Sequence, residues 1–235
     1  MPKKIILFSG SSAVGKTAVL KKLLAYIKDK KIHPMVCKID CMESEDEMVF
    51  SQLGIPSVTG LSQDICPDHF LVSNFQEIQN HADQLSCDYL FIETAGLCHR
   101  CSPATRLSIA GCILDCTASS KSPSRLGPML THADFVVLTK IDMVSQAELE
   151  IIRWMIHSIN PSASIFPVDG LAGYGIEFLA DWILAKNDCP SFENDTLRHT
   201  MPAGVCSYCL GEQRVGSAFQ QGVIQKIDFK EETSL

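Results

Sequence analysis

The chain has 235 residues, 46% of them hydrophobic and 20% charged, which is typical of one sizeable globular domain with a small appendage and excludes a disordered chain. The net charge of −7 argues against a nucleic-acid backbone as the main partner. No apolar run approaches the roughly 20 residues that span a bilayer, and the first one is too short for a signal peptide, so we expect a cytoplasmic protein with no membrane span.

Short apolar runs alternate with segments of helical periodicity, a pattern typical of β-α units around a mostly parallel sheet. The predicted strands are 4–8, 35–39, 89–93, 109–115, 135–139 and 165–168. The predicted helices are 16–29, 45–53, 70–85, 128–132, 145–159 and 175–186. A polar stretch follows, and strand-like alternation returns around 223–229. We therefore predict an α/β domain at 1–187 and a C-terminal extension at 188–235.

The sequence Gly10-Ser-Ser-Ala-Val-Gly-Lys-Thr17 lies between the first predicted strand and the first predicted helix. It matches G-x-x-x-x-G-K-[ST], whose backbone N–H groups form an anion-binding nest at a helix N-terminus. We expect Lys16 to bridge the terminal phosphates and Thr17 to ligate Mg²⁺. The residues predicted to bind the phosphates are Gly10, Ser11, Ser12, Ala13, Val14, Gly15, Lys16, Thr17 and Ala18. The chain is thus predicted to be a P-loop NTPase with a mostly parallel central sheet flanked by helices.

A second motif, Thr139-Lys-Ile-Asp142, follows a later predicted strand. The Asp142 carboxylate can accept hydrogen bonds from the N1–H and N2 amino groups of guanine, which adenine does not offer in that arrangement. The stem of Lys140 can lie along the base plane. We therefore predict that Thr139, Lys140 and Asp142 bind the base and that the nucleotide is GTP.

The order of these motifs resembles the SIMIBI-class GTPases of the CobW/HypB/UreG group, which serve metalloenzyme maturation. The resemblance covers about residues 3–186 and rests on the P-loop, Lys38-Ile-Asp40, Glu93-Thr-Ala-Gly96 and Thr139-Lys-Ile-Asp142. It implies that Asp40 and Glu93 lie near Mg²⁺ and the attacking water, and join Lys16 in catalysis. It also implies that Gly96, in an E-x-x-G switch, turns its N–H toward the γ-phosphate. Because the motifs contain no evident arginine finger, we expect slow hydrolysis of GTP to GDP and phosphate.

Eleven cysteines are a high number for this length. Isolated ones such as Cys112 are interpreted as small buried hydrophobes. Two C-x-x-C pairs carry more weight, because both sulfurs of such a pair can reach one ion from a tight turn. One pair, Cys98 and Cys101, directly follows E-T-A-G, and the other, Cys206 and Cys209, lies in the C-terminal extension. These four thiols are candidate ligands of a transition metal or cluster.

The resemblance adds further candidates, since family members place metal ligands beside the switches, usually at a nucleotide-dependent dimer interface. Cys66-Pro-Asp-His69 is similar to the C-P-H sequence of the urease-accessory members, with Asp68 inserted, and an ordinary helix start explains Cys66 and His69 equally well. Cys101-Ser-Pro103 is similar to the Cys-Pro of the hydrogenase-accessory members. Thiolate and imidazole ligands suit nickel or zinc, and a C-x-x-C pair alone also suits an iron–sulfur cluster.

Together these features predict a GTP-dependent metallochaperone that delivers nickel, zinc or a cobalt-type metal or cofactor to a client metalloenzyme. GTP and Mg²⁺ would order Asp40 and the segment Glu93–Gly96, close a homodimer and assemble a thiolate site that hydrolysis opens. The partners would be the client enzyme or its accessory proteins. Two other classes stay open, a nucleotide-switched iron–sulfur or redox-responsive regulator and a small-molecule kinase. The T-K-x-D motif and the lack of an arginine-rich lid argue against the kinase.

Overall fold

A computed structural model describes residues 1–28, 30–42, 50–97, 99–200, 211–219 and 225–229. The strands are β1 Lys4–Ser9, β2 Pro34–Asp40, β3 Ser57–Leu61, β4 Tyr89–Thr94, β5 Ile109–Asp115, β6 Phe135–Thr139 and β7 Ser164–Pro167. The helices are α1 Lys16–Lys28, α2 Pro67–Gln84, α3 Pro128–Thr131, α4 Gln146–Ile159 and α5 Ile176–Leu184, with 3₁₀ turns at Ser122–Arg125, Ile141–Met143 and Ser217–Phe219. None of the helices in these ranges is long and apolar enough to cross a membrane.

The seven strands form one parallel sheet in the order β3-β2-β4-β1-β5-β6-β7. This arrangement confirms the predicted α/β fold. Alternate residues of each central strand face opposite layers, so that Phe8 points toward α1 and α5, while Leu7 points toward α2. Helix α4 covers β5 and β6 on the same face as α2 through Ile152 and Ile156. Because both faces of the sheet are covered, its strands read as nearly continuous apolar runs.

The order of the strands fixes where ligands can bind. Strand β1 lies between β4 and β5. The chain runs from β1 to β2 toward one edge of the sheet, and from β5 to β6 toward the other edge. In open parallel sheets, ligands bind beyond the carboxyl ends of the strands at such a switch point. The loop after Ser9 begins there, and the register pairs Phe8 with Glu93 and places Lys38 opposite Glu93 from the other side. The P-loop and the carboxyl ends of β2 and β4 therefore converge at one edge.

The structure differs from the predicted elements in two places. Strand β3 was not predicted, because Ser57-Val-Thr-Gly-Leu61 is short and half-buried at the sheet edge, with a glycine inside it. Gly60 is required there because an added Cβ would press on the ring of Phe70. Residues 225–229 are not a strand, so that part of the predicted strand-like alternation is wrong, and 223–224 lie outside the described residues. Most of the predicted helix 45–53 also lies outside them.

The described part of the extension packs along α2 and along the loop between β4 and β5. The backbone of Leu197 forms an antiparallel bridge with Thr105, and the Leu197 side chain is fully buried. Farther along, the N–H of Gly216 donates to the Val72 carbonyl at 2.9 Å. The Asn74 side-chain amide donates to the Gln225 carbonyl and accepts from the Ile227 N–H, each at 3.2 Å. Phe229 stacks on His81 with ring centroids 4.5 Å apart. The extension is therefore continuous with the α2 face of the domain.

Arg198 is the main polar anchor of the extension. Its guanidinium makes a two-pronged contact with the Asp134 carboxylate, at 2.9 and 2.8 Å. The same group donates to the carbonyl oxygens of Thr105 at 2.7 Å, His132 at 2.9 Å and Ser108 at 2.5 Å. Every edge of the guanidinium is thus occupied, a geometry that only arginine offers. Arg198 fixes the extension to the loop that follows the E-T-A-G segment.

We expect Arg198→Met to lower the free energy of unfolding by about 1–3 kcal/mol. Breaking a fully buried pair costs about 3–5 kcal/mol, and Asp134 is partly exposed, with a side-chain exposure of 35%. Arg214→Met is the matched control, since Arg214 pairs with Glu212 at 2.7 Å on the surface, where ion pairs contribute little. Urea denaturation of both variants measures the difference, and equal midpoints would contradict the anchoring role.

Candidate active site

The P-loop has a backbone conformation at Gly10 that requires glycine. Gly10 has a φ of 143°, and an added Cβ there would overlap the Ile113 carbonyl oxygen. The ammonium of Lys16 folds back over the loop and donates to the carbonyl oxygens of Gly10 at 3.0 Å and Ser11 at 2.8 Å. Burial lowers the pKa of Lys16, and the nearby carboxylate of Glu93 opposes that shift. A buried lysine above an N–H nest at the start of a long helix is suited to bind phosphate.

Two side chains that the sequence predicts as Mg²⁺ ligands meet below the P-loop. The Thr17 hydroxyl donates to Glu93 Oε1 at 2.8 Å. Glu93 is only 3% exposed, and its Oε2 has no hydrogen-bond partner among the described residues. Burial raises the pKa of Glu93, opposed by Lys38 and by the bond from Thr17. A buried carboxylate oxygen without a partner, close to a hydroxyl oxygen, fits a hard cation such as Mg²⁺.

Asp40 lies at the carboxyl end of β2, beside this pair. Its Oδ2 is 3.7 Å from the Lys38 ammonium, and its Oδ1 accepts from the Cys41 N–H at 2.8 Å. The side chain is half-buried. Lys16, Lys38 and the carboxylates of Asp40 and Glu93 interact electrostatically. The structure thus brings together the three residues predicted to be catalytic, and their roles stay predictions.

Gly96 packs against the P-loop. Its φ is 72°, and an added Cβ would overlap the carbonyl group of Gly10 and lie 3.3 Å from the Lys16 ammonium. Such a close approach of two backbone segments is possible only for glycine. The end of the E-T-A-G segment therefore lies beside the atoms that would contact the terminal phosphate.

The second motif is tied to the P-loop from the other side. The Thr139 hydroxyl donates to the Val14 carbonyl at 2.7 Å. Lys140 is left-handed at φ 54°, and its ammonium reaches Asp115 Oδ2 at 2.6 Å and the Ala13 carbonyl at 3.4 Å. Burial alone would raise the pKa of Asp115, but hydrogen bonds from Lys140 and Thr117 outweigh it and lower the pKa. The lysine stem is thus fixed beside the P-loop.

Asp142 lies in the 3₁₀ turn that follows and is exposed to solvent. The loop 169–173 lies against the start of α1, where an added Cβ on Gly170 would lie 3.6 Å from Ala18. Asp115 was not singled out by the sequence analysis, because an acid at the end of a strand is common. What identifies Asp115 is the strand register of the structure, which pairs it with Thr139.

The transition-metal candidates are only partly within the described residues. Cys66 is the N-cap of α2, and His69 lies in the first turn, where burial lowers its pKa to about 4. Cys101 is 2% exposed and packs with Val72 and Leu197 of the extension. In the described ranges, no three His, Cys, Asp or Glu side chains come together as a metal site. The remaining candidates, Cys98, Cys206 and Cys209, lie outside the described residues.

The isolated cysteines behave as predicted for small hydrophobes. Cys112 is fully buried between β5 and α4, and Cys87 is 5% exposed beneath α2. Burial raises the pKa of Cys112 to about 12 and that of Cys87 to about 11. Both are therefore thiols at neutral pH, and thiols are poor metal ligands.

A pocket of about 320 Å³ opens on the outer flank of the P-loop. Ser11 to Val14 form one wall, and His99, Arg125 and Lys140 line the others. The sequence motifs assigned no role to either His99 or Arg125. Only the tertiary fold brings both side chains into one pocket with the P-loop.

Comparison with known proteins agrees with this geometry. The chain is 41% identical over 225 residues to the uncharacterised protein MJ0120 of Methanocaldococcus jannaschii, covering 96% of each chain. That span extends into the C-terminal extension. It is 26% identical over 192 residues to urease accessory protein UreG 2 of Streptomyces griseus, covering 75% of this chain and 84% of that one.

Solved structures share the fold. The hydrogenase maturation factor HypB from Archaeoglobus fulgidus has a TM-score of 0.65 at 20% identity, over 77% of this chain and 89% of that one. HypB from Helicobacter pylori in complex with nickel gives 0.64 at 19% identity, over 80% and 90%. The model of the nucleotide-binding domain described as CobW/HypB/UreG matches residues 4–167, more than half of the chain. The chain therefore belongs to the CobW/HypB/UreG family.

Proposed function

We propose that this protein hydrolyses GTP and uses the hydrolysis cycle to deliver a transition metal, or insert a metal cofactor, into a client metalloenzyme. The observation that carries the proposal is the packing of Gly96 against Gly10. This packing attaches the segment that leads into Cys98 and Cys101 to the P-loop, whose backbone would hold the phosphates. A change at the terminal phosphate can therefore move a pair of thiol ligands.

The contacts around Lys16, Thr17 and Glu93 support the proposed nucleotide roles. The N–H groups of the P-loop and the Lys16 ammonium bind the phosphates, and Asp142 selects guanine over adenine. Glu93 orients the Thr17 hydroxyl and, with Asp40, faces the attacking water. Thr17, Asp40 and Glu93 would hold Mg²⁺, which would supply positive charge beside the phosphate oxygens. A fold neighbour with a TM-score of 0.55 at 17% identity, FlhF, was solved in complex with GTP and Mg²⁺.

The cargo site is assigned to the two C-x-x-C pairs. Arg198 donates from its backbone N–H to the Ala104 carbonyl at 2.8 Å, three residues after Cys101. Thr200 and Gln213, which flank Cys206 and Cys209 in the sequence, are joined by a side-chain hydrogen bond of 2.9 Å. These flanks support one shared site to which both pairs contribute thiolates.

Cys66 and His69 are retained as additional ligands. His69 lies one turn before Val72 on the same side of α2, and Val72 packs on Cys101. The relatives support a metal as the cargo, since HypB from Helicobacter pylori was solved with nickel and UreG 2 is named a urease accessory protein. The partners would be a client metalloenzyme or its accessory proteins, and the active form a nucleotide-dependent homodimer.

The test is the affinity for Ni²⁺ and Zn²⁺, measured in the presence of GDP and of GMPPNP. We expect the two nucleotide states of the wild type to differ by about 5-fold or more. Cys98→Ala/Cys101→Ala should lose high-affinity binding in both states. Cys189→Ser is the matched control, because Cys189 belongs to neither pair and its thiol donates to the Ser191 carbonyl at 3.0 Å.

Identical affinities in the GDP and GMPPNP states would sink the proposed coupling. Anaerobic purification addresses the alternative function, a nucleotide-switched iron–sulfur or redox-responsive regulator. A brown protein with charge-transfer absorption would favour that alternative, because thiolate-bound clusters are coloured and zinc thiolates are not.

A further inference from the structure

One residue between the two cysteines of the first C-x-x-C pair contacts the P-loop directly. His99 Nε2 lies 2.9 Å from the Ser11 hydroxyl, and the imidazole is half-buried in the wall of the pocket beside the loop. None of the sequence motifs gives this histidine a role. The contact joins the metal-binding segment to the nucleotide site by a side chain rather than by backbone packing.

The backbone of His99 is held from the opposite side. Gly127 has a φ of 50°, and an added Cβ at that glycine would overlap the His99 carbonyl oxygen. The residue is thus held between the turn before α3 and the P-loop. Gly96 is likewise packed against the P-loop, and Cys101 is buried.

Ser11 is connected to the residue that must respond to the nucleotide. Its carbonyl oxygen accepts from the Lys16 ammonium at 2.8 Å. When the terminal phosphates bind, that ammonium acquires phosphate oxygens as partners. The bond to the Ser11 carbonyl would therefore change with the nucleotide, and the hydroxyl of the same residue contacts His99.

We propose that His99 is the positioning residue that couples the state of the P-loop to the placement of the Cys98–Cys101 segment. The coupling rests on the function proposed above. It is reciprocal, so a metal that fixes the segment also fixes His99 on Ser11 and changes the affinity for the nucleotide by the same factor. His99 acts through Ser11 and is not assigned as a ligand of the metal.

The test compares Zn²⁺ affinity in the GDP and GMPPNP states for the wild type, His99→Ala and Arg100→Ala. Arg100 is the matched control, an exposed neighbour within the same C-x-x-C pair. A coupling residue of this kind changes the ratio of the two affinities, and we expect the wild-type ratio of about 5–150-fold to fall below about 2-fold in His99→Ala only. An unchanged ratio in His99→Ala would overturn the proposal. So would an equal loss of affinity in both states, which is the signature of a metal ligand.

A second measurement needs no metal and separates this proposal from the proposed function. The ring ¹⁵N resonances of the seven histidines are recorded without nucleotide and with GMPPNP, and His99→Gln assigns the His99 signals. We expect the Nε2 resonance of His99 to shift on nucleotide binding and also in Ser11→Ala without nucleotide. If it shifts while wild-type metal affinity ignores the nucleotide, the link holds and the metal-delivery function fails. If it responds to neither change, the link is wrong.

Discussion

Replacing Glu93 with glutamine should lower kcat for GTP hydrolysis by about 10²–10⁴-fold, the range lost when a positioned acid or base is removed. Glutamine has the same shape and can still accept the Thr17 hydrogen bond of 2.8 Å. It lacks the negative charge that Mg²⁺ and the attacking water require. The loss should therefore appear in the chemical step, with the fold intact.

The measurement is single-turnover hydrolysis of radiolabelled GTP at saturating Mg²⁺, together with thermal unfolding of the nucleotide-free protein. Because burial raises the pKa of Glu93, the neutral side chain should leave the melting temperature unchanged or higher. Glu177→Gln, on the first turn of α5, serves as the control for a change of charge. Wild-type turnover in Glu93→Gln would remove Glu93 from the proposed mechanism.

The substitution Gly96→Ala should both lower the free energy of unfolding and reduce the turnover of GTP. The left-handed φ of 72° costs an alanine about 1–2 kcal/mol, and overpacking against the Gly10 carbonyl group adds about 1–3 kcal/mol. The segment can relieve this overlap only by moving off the P-loop. A displacement of about 1 Å near the reacting atoms can reduce turnover about 10²-fold.

Gly54→Ala separates strain from overlap. Gly54 has a similar φ of 61°, but an added Cβ would meet only the Lys28 ammonium at 3.5 Å. We expect the strain of a left-handed alanine to lower the free energy of unfolding of Gly54→Ala by about 1–2 kcal/mol. GTP hydrolysis should stay at the wild-type rate. Urea denaturation and GTP turnover of the two variants are compared directly. Equal stability and equal turnover would show that the close approach of Gly96 to Gly10 is not required.

The local parts of the site were predictable because each depends on a contiguous stretch of sequence. A P-loop is defined by its own glycines, by the strand before it and by the helix after it, so Gly10 to Thr17 could be placed without knowledge of the rest. The same is true of the strands that end at Asp40 and Glu93, since apolar runs of parallel strands bury both faces. These features required only short-range information.

Contacts between distant segments were not predictable. Asp115 reaches Lys140 across 25 positions, and Arg198 reaches Asp134 across 64. Neither pairing leaves a periodic pattern, because a single charged residue in a loop is compatible with many partners. Strand β3 was missed for a related reason, since an edge strand needs little hydrophobicity of its own when β2 supplies the pairing.

The sequence by itself determined the class of fold, the phosphate-binding loop, the preference for guanine that we propose and the presence of two C-x-x-C pairs. Only the tertiary structure decided how E-T-A-G and the residues after it are attached to that loop. Gly96 lies against Gly10, His99 contacts Ser11, and Cys101 is buried beneath Leu197 of the extension. The physical reason is that a motif is encoded by neighbours in the chain, whereas the coupling between motifs depends on steric fit and hydrogen bonds that exist only after the sheet has brought its strand ends together.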